Sequence, residues 1–117
     1  MIALNYPEPG VPTVSVSGLL QHSDYEQIVP ELEKLLEHGK ARVLLELNDF
    51  KGFTPKALVD ELKFDLKHRK DFDRIAVVSD SRVSDLGVRL VKPFFDGEIK
   101  IFDKDERMAA VRWLQEN

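Results

Sequence analysis

Four short apolar segments recur along the chain: "TVSVSG" (13–18), "RVLLELN" (42–48), "RIAVVS" (74–79) and "EIKIF" (98–102). Each is followed by a stretch whose apolar residues fall at helical spacing. This switching between a period of two and a period of 3.6 constrains the fold more than any other feature. Strands that alternate with helices form parallel sheets joined by right-handed crossovers. The pattern therefore predicts an α/β superhelix of four β–α turns with a mainly parallel sheet. The residues before 12 offer a further edge strand, with Pro7, Pro9, Gly10 and Pro12 making the turn. The chain has 117 residues and no linker, repeat or low-complexity run, so residues 1–117 read as a single domain.

Local signals place the helices. Ser23 and Glu26 have capping-box spacing, and Tyr25, Ile28, Val29, Leu32, Leu35 and Leu36 follow on one face. Pro30 should bend this helix and Gly39 should end it. Thr54 before Pro55 marks the start of a second helix, with Leu58, Val59, Leu62 and Leu66 as the expected buried stripe. A third helix is expected from Asp80 or Ser81, with Val83, Leu86, Leu90, Val91 and Phe94 inward and Pro93 near its end. Asp103 and Glu106 cap a last helix carrying Ala110, Val111 and Leu114.

The strands also sort into two faces. Val14, Val16, Val43, Leu45, Leu47, Ile75, Val77, Ile99 and Ile101 share one side. The other side mixes Ser15, Ser17, Glu46 and Lys100 with Leu44, Ala76, Val78 and Phe102. Crossover helices between sequential neighbours all lie on one side, so the mixed face needs a displaced helix or a partner subunit. Leu44, Val78 and Phe102 are on that basis the candidate interface of a homodimer, since closed two-fold pairs are the commonest assembly.

Composition removes several function classes. The net charge of −4, with pI near 5.4, disfavours a general nucleic-acid binder. The absence of cysteine excludes disulfides, thiolate nucleophiles and cysteine metal sites. No apolar run approaches the roughly 20 residues that span a bilayer. The N-terminus lacks the basic start and apolar core of a signal peptide, so a cytoplasmic protein is expected. His22, His38 and His68 have no metal-ligand spacing, and no nucleophile elbow or phosphate-binding glycine loop occurs. No enzymatic activity, metal or cofactor is expected.

The segments "SDYEQIVPELEKLLEHG", "RVLLELNDFKGFTPKALVDELKFDLKHRKDFDRIAVVSD" and "VKPFFDGEIKIFD" resemble the SpoIIAA-like family of small bacterial proteins. The similarity runs from about Ser17 to Leu114. Its most specific part is a strand ending in Leu-Asn-Asp-Phe, a Gly-Phe-Thr-Pro turn, then Leu-Lys-Phe and Lys-His-Arg-Lys-Asp-Phe. The resemblance implies the superhelix derived above and a relation to STAS domains and to the CRAL-TRIO lipid-binding domain. In similar anti-sigma-factor antagonists a serine at the start of the equivalent helix is phosphorylated. Thr54 holds a similar place, but the Asp-Ser pair of those proteins is replaced by Phe53-Thr54-Pro55.

Candidate contacts follow from position. Ligands of open α/β sheets bind beyond the carboxyl ends of the strands, where Asp49, Asp80 and Asp103 should gather. Each of these also has a turn or cap role, which is preferred to a cation site. Thr54 reads first as a helix cap. Lys67, His68, Arg69 and Lys70 suit an anion or, more simply, the negative end of the helix dipole. Phe50, Phe53, Phe64, Phe72, Phe94 and Phe95 exceed what the helical stripes require. They either seal the core ends or line an apolar pocket. Asp49, Phe53, Thr54, Lys67 and Arg69 are accordingly the candidate regulatory or ligand contacts. Two functional readings result. One is a non-catalytic STAS-like interaction module that docks a protein partner. The other is a carrier or sensor of a small apolar or lipid-like ligand, which needs a pocket of roughly 300 Å³ or more.

Overall fold

The alternating segments pair into one five-stranded sheet in the computed structural model, which describes residues 1–8, 10–79, 92 and 96–116. The strands are β1 (Ile2–Glu8), β2 (Val11–Leu20), β3 (Ala41–Phe53), β4 (Phe72–Ser79) and β5 (Glu98–Asp103), and they lie in sequence order. β1 runs antiparallel to β2 as the expected edge strand, and the other pairs are parallel. Among the described residues the helices are α1 (His22–Leu36), α2 (Pro55–Lys67) and α3 (Arg107–Gln115). The helix expected from residue 80, with Pro93, Phe94 and Phe95, lies outside the described residues.

The apolar face expected from the strands is a core. Val14, Val16, Val43, Leu47 and Val77 are buried there with Tyr25, Ile28 and Leu32 of α1 and Ala57 of α2. Ile101, expected on this face, is exposed on β5. The mixed face is covered by a displaced helix. α3 lies across β3, β4 and β5 and buries Leu44, Val78 and Phe102 against Ala110, Val111 and Leu114. The three residues assigned to a dimer interface are 0%, 4% and 7% exposed, and so belong to the protein's own core. A dimer through these three residues loses its motive, because the protein's own helix already covers them.

Three arginines fasten α3. Its last carbonyls lack intrahelical partners. Arg42 donates to the Leu114 carbonyl at 3.0 Å and also to Glu116, while Arg74 donates to the Trp113 carbonyl at 2.7 Å. Both guanidinium groups meet the negative end of the helix dipole. Arg74 also sits 5.2 Å from the Trp113 ring centroid. At the other end Arg107 binds both Glu8 oxygens, at 2.6 and 3.0 Å, and Glu46 at 2.6 Å. Glu46 is thereby paired on the face where an isolated charge would be costly.

Two boundaries differ from expectation. α1 begins after Gln21, whose amide donates to Asp24 at 2.8 Å, so the capping box lies two residues before the Ser23–Glu26 pair. β2 runs on to Leu20, and this brings the helix start forward. Pro30 is exposed, and α1 continues past it to Leu36. The second difference is the polar stretch after residue 48, expected as a loop, which continues β3 to Phe53. It pairs with Ser17–Leu20 through two irregularities that leave Asp49 and Lys51 without partners in the register. Asp49 takes φ 52° and Gly52 φ 103°. Some bulges use such left-handed positions, which aspartate tolerates and glycine adopts freely.

Candidate functional site

α2 determines the chemistry on two sides. It starts as the sequence predicts. The Thr54 side-chain oxygen accepts the Ala57 amide at 3.3 Å, and Pro55 occupies the first turn. The face it buries is not the expected one. Ala57, Glu61, Phe64, Asp65 and His68 turn inward, whereas Val59 and Leu66 are 49% and 48% exposed. Residues 57, 61, 64 and 68 are also at helical spacing, but an acid and a histidine make this second stripe the less hydrophobic of the two.

The inward acids find partners. The Tyr25 hydroxyl of α1 donates to Glu61 Oε2 at 2.6 Å, and Asp65, 8% exposed, shares a hydrogen bond with Glu61. Burial, followed by the Glu61 charge, pushes the Asp65 carboxyl from its ordinary 3.8 up to about 9. Burial and its acidic neighbour thus favour the neutral form of Asp65. Burial pushes the Tyr25 hydroxyl far above its ordinary range, with the Glu61 charge acting the same way. Among the described residues no buried side-chain nitrogen or oxygen lacks a partner.

These acids form one end of an apolar cavity of about 150 Å³ between the sheet and the two helices. Phe50, Phe53, Phe64 and Phe72 line it, four of the six aromatics beyond the helical stripes; Phe94 and Phe95 lie outside the described residues. Phe50 and Phe53 meet edge to face, with centroids 5.3 Å apart. A wider groove of about 280 Å³ runs outside, between α1 and α2, past His22, Asp60, Glu33 and Lys67. It shares Tyr25, Val29 and Phe64 with the cavity wall.

The other candidates are dispersed. Asp49 is exposed beside Lys51 at 3.4 Å. Asp103 accepts and caps at the start of the turn Lys104–Glu106, its amide bound by Glu106 at 2.9 Å, and Asp80 lies outside the described residues. Among the described residues no group of three His, Cys, Asp or Glu side chains is placed to hold a metal ion. The basic run at the end of α2 is largely engaged within the chain. Lys67 pairs with Glu33 at 2.8 Å and Arg69 with Asp96 at 3.0 Å. His68 bridges Asp71 at 2.6 Å and Glu33 at 3.1 Å. Lys67 and then His68 hold the Glu33 carboxyl below its usual range. Among the described residues no helix is long and apolar enough to cross a membrane.

Comparison with known proteins agrees with this architecture. An uncharacterised protein of Shewanella loihica PV-4 with a SpoIIAA-like fold shares 29% identity over 97% of this chain and 92% of its own, with a TM-score of 0.81. The anti-sigma factor antagonist SpoIIAA in its unphosphorylated form shares 13% identity, covers 96% of this chain and 98% of its own, and gives a TM-score of 0.63. The Bacillus cell fate determinant SpoIIAA in its phosphorylated form gives 14%, 97% and 99%, and 0.60. At these two identities the likeness is one of fold. No curated protein matches the chain. The SpoIIAA-like family profile matches residues 11–115, nearly the whole sequence, and the chain belongs to the SpoIIAA-like family.

Proposed function

We propose that the protein is a non-catalytic regulatory module that docks a protein partner through the outer face of α2. The observation that carries this reading is the inversion of that helix. Val59 and Leu66 stand about half exposed, flanked by the partly exposed Leu58 and Leu62, while two acids occupy the inward stripe. Apolar residues grouped on an exposed face are a common mark of an interaction surface. Lys56 and Lys63 border the strip and favour a partner whose own apolar stripe is edged by acids. The fold shared with SpoIIAA, an anti-sigma factor antagonist, supports the same class of role. Thr54, at the start of this helix, is the position where a phosphate would alter the charge of the surface. A homodimer would use this face too, because α3 covers the other.

The experiment is affinity capture from the source cells with the wild-type chain and with Val59→Glu/Leu66→Glu, alongside sedimentation of both. Both substitutions are at exposed sites, so the fold should be retained. The reading requires a partner, or a second copy, that the wild type holds and the variant releases. Identical captured sets and identical masses in solution would refute it.

The alternative, a carrier of a lipid-like ligand, draws support from the apolar cavity with its phenylalanines. At about 150 Å³ the cavity is half the size that reading asks for. Its volume suits a much smaller guest.

A further inference from the structure

The cavity under α2 is apolar except where Glu61, Asp65 and the Tyr25 hydroxyl meet, and among the described residues its lining contains no Lys, Arg or His. We propose that it is a binding site for a small organic cation, a benzene-sized apolar body bearing one primary ammonium, with the ammonium seated between the Glu61 and Asp65 carboxyls.

Size sets the body of the ligand. An apolar cavity of about 150 Å³ stays dry and accepts benzene in a protein of known behaviour. The value here is the same, about 150 Å³. An acyl chain does not fit that space. Charge sets the head group. An anion would meet two carboxyls with no cation in the wall to offset them. A neutral guest gains only apolar contact and leaves the acid pair as it is. An ammonium does more, because it can replace the proton that the pair shares. The free site holds two carboxyls and one proton. The occupied site holds two carboxylates and one ammonium. One cation enters, one proton leaves to solvent, and the net charge buried at the site is unchanged. No net charge is added, and the attraction of the two carboxylates opposes the cost of desolvating the ammonium. The rings of Tyr25 and Phe64 add faces to which a cation is attracted.

The outer groove adjoins the cavity at Tyr25, Val29 and Phe64, the side from which a ligand would enter. The titratable groups that face the pair are few. α1 contributes Tyr25, and His22 pairs with Asp60, the residue of α2 immediately before Glu61. The strand residues of the lining are all apolar.

The test is calorimetric titration of the full chain with three ligands of one shape: benzylamine, benzyl alcohol and phenylacetate. Near neutral pH, benzylamine should bind about tenfold or more tightly than benzyl alcohol, and phenylacetate should give no binding. The heat for benzylamine should change between buffers of unlike ionisation enthalpy, in proportion to one proton released. The uncharged double variant Glu61→Gln/Asp65→Asn keeps the shape of the site and should bind the amine no better than the alcohol. Equal affinity for amine and alcohol in the wild type would overturn the proposal, as would no binding of benzylamine at millimolar concentration. A folded double variant that keeps the preference for the amine would overturn it too, by placing the binding elsewhere. If that variant does not fold, the three-ligand comparison and the proton count on the wild type decide.

Discussion

Replacing Asp65 by asparagine tests whether α2 really turns an acid into the core. In the folded chain the Asp65 carboxyl titrates at about 9, against an ordinary 3.8, because it is 8% exposed and beside Glu61. A group whose folded value is raised favours folding at pH below its unfolded value. Its contribution is lost as pH rises through the folded value. Below about pH 4 Asp65 is protonated in both states, so stability does not change with pH on its account. From there to about pH 9 the unfolded chain releases the proton while the folded chain keeps it. Stability should then fall by up to about 1.4 kcal/mol per pH unit, or roughly 2–3 kcal/mol between pH 5 and 7. Glu8 and Glu33 are held below their ordinary values by Arg107 and by Lys67, so they act in the opposite sense only in more acid solution. Asparagine keeps the shape and a donor to Glu61 but cannot ionise. Urea unfolding at pH 5, 7 and 8.5, read by circular dichroism, should show the wild type losing stability toward alkaline pH and the variant nearly level. Parallel profiles for the two proteins would refute the reasoning and would place the Asp65 side chain in water.

Thr54→Ala should cost about 1 kcal/mol in denaturant unfolding, the usual loss of a cap; an unchanged midpoint would mean that the Ala57 amide has another acceptor. Phe102→Glu should destabilise strongly, by more than the roughly 3–5 kcal/mol of deleting a buried phenylalanine, because it also buries a charge. Its mass in sedimentation should equal that of the wild type, since α3 and not a second copy covers Phe102; a stable variant with lower mass would restore the interface. Hydrogen exchange should find the slowest amides in 43–47 and 75–78, in the central strands β3 and β4, within one cooperative unfolding unit. Fast exchange there, with protection confined to the helices, would contradict the sheet order.

The sequence alone determined the elements and their succession. Period two and period 3.6 are local properties of a segment, and so are the cap at Thr54–Pro55 and the alternation that divides Val43, Leu45 and Leu47 from Leu44 and Glu46. It also carried the family, through the block around Gly-Phe-Thr-Pro. The tertiary structure decided which face each element spends on the core. α2 has two apolar stripes, one through Leu58, Val59, Leu62 and Leu66 and one through Ala57 and Phe64. Hydrophobicity alone favours the first. The second is inward because Tyr25, 36 residues earlier on α1, supplies a donor for Glu61, and burial beside Glu61 favours the neutral form of Asp65. The cover of the second sheet face was undecided for the same kind of reason. Arg42 and Arg74 reach the end of α3 from 72 and 39 residues away, and no local pattern records a partner at that distance. Spacing along a chain fixes periodicity, whereas the choice between two faces of equal period depends on which groups the fold brings opposite them.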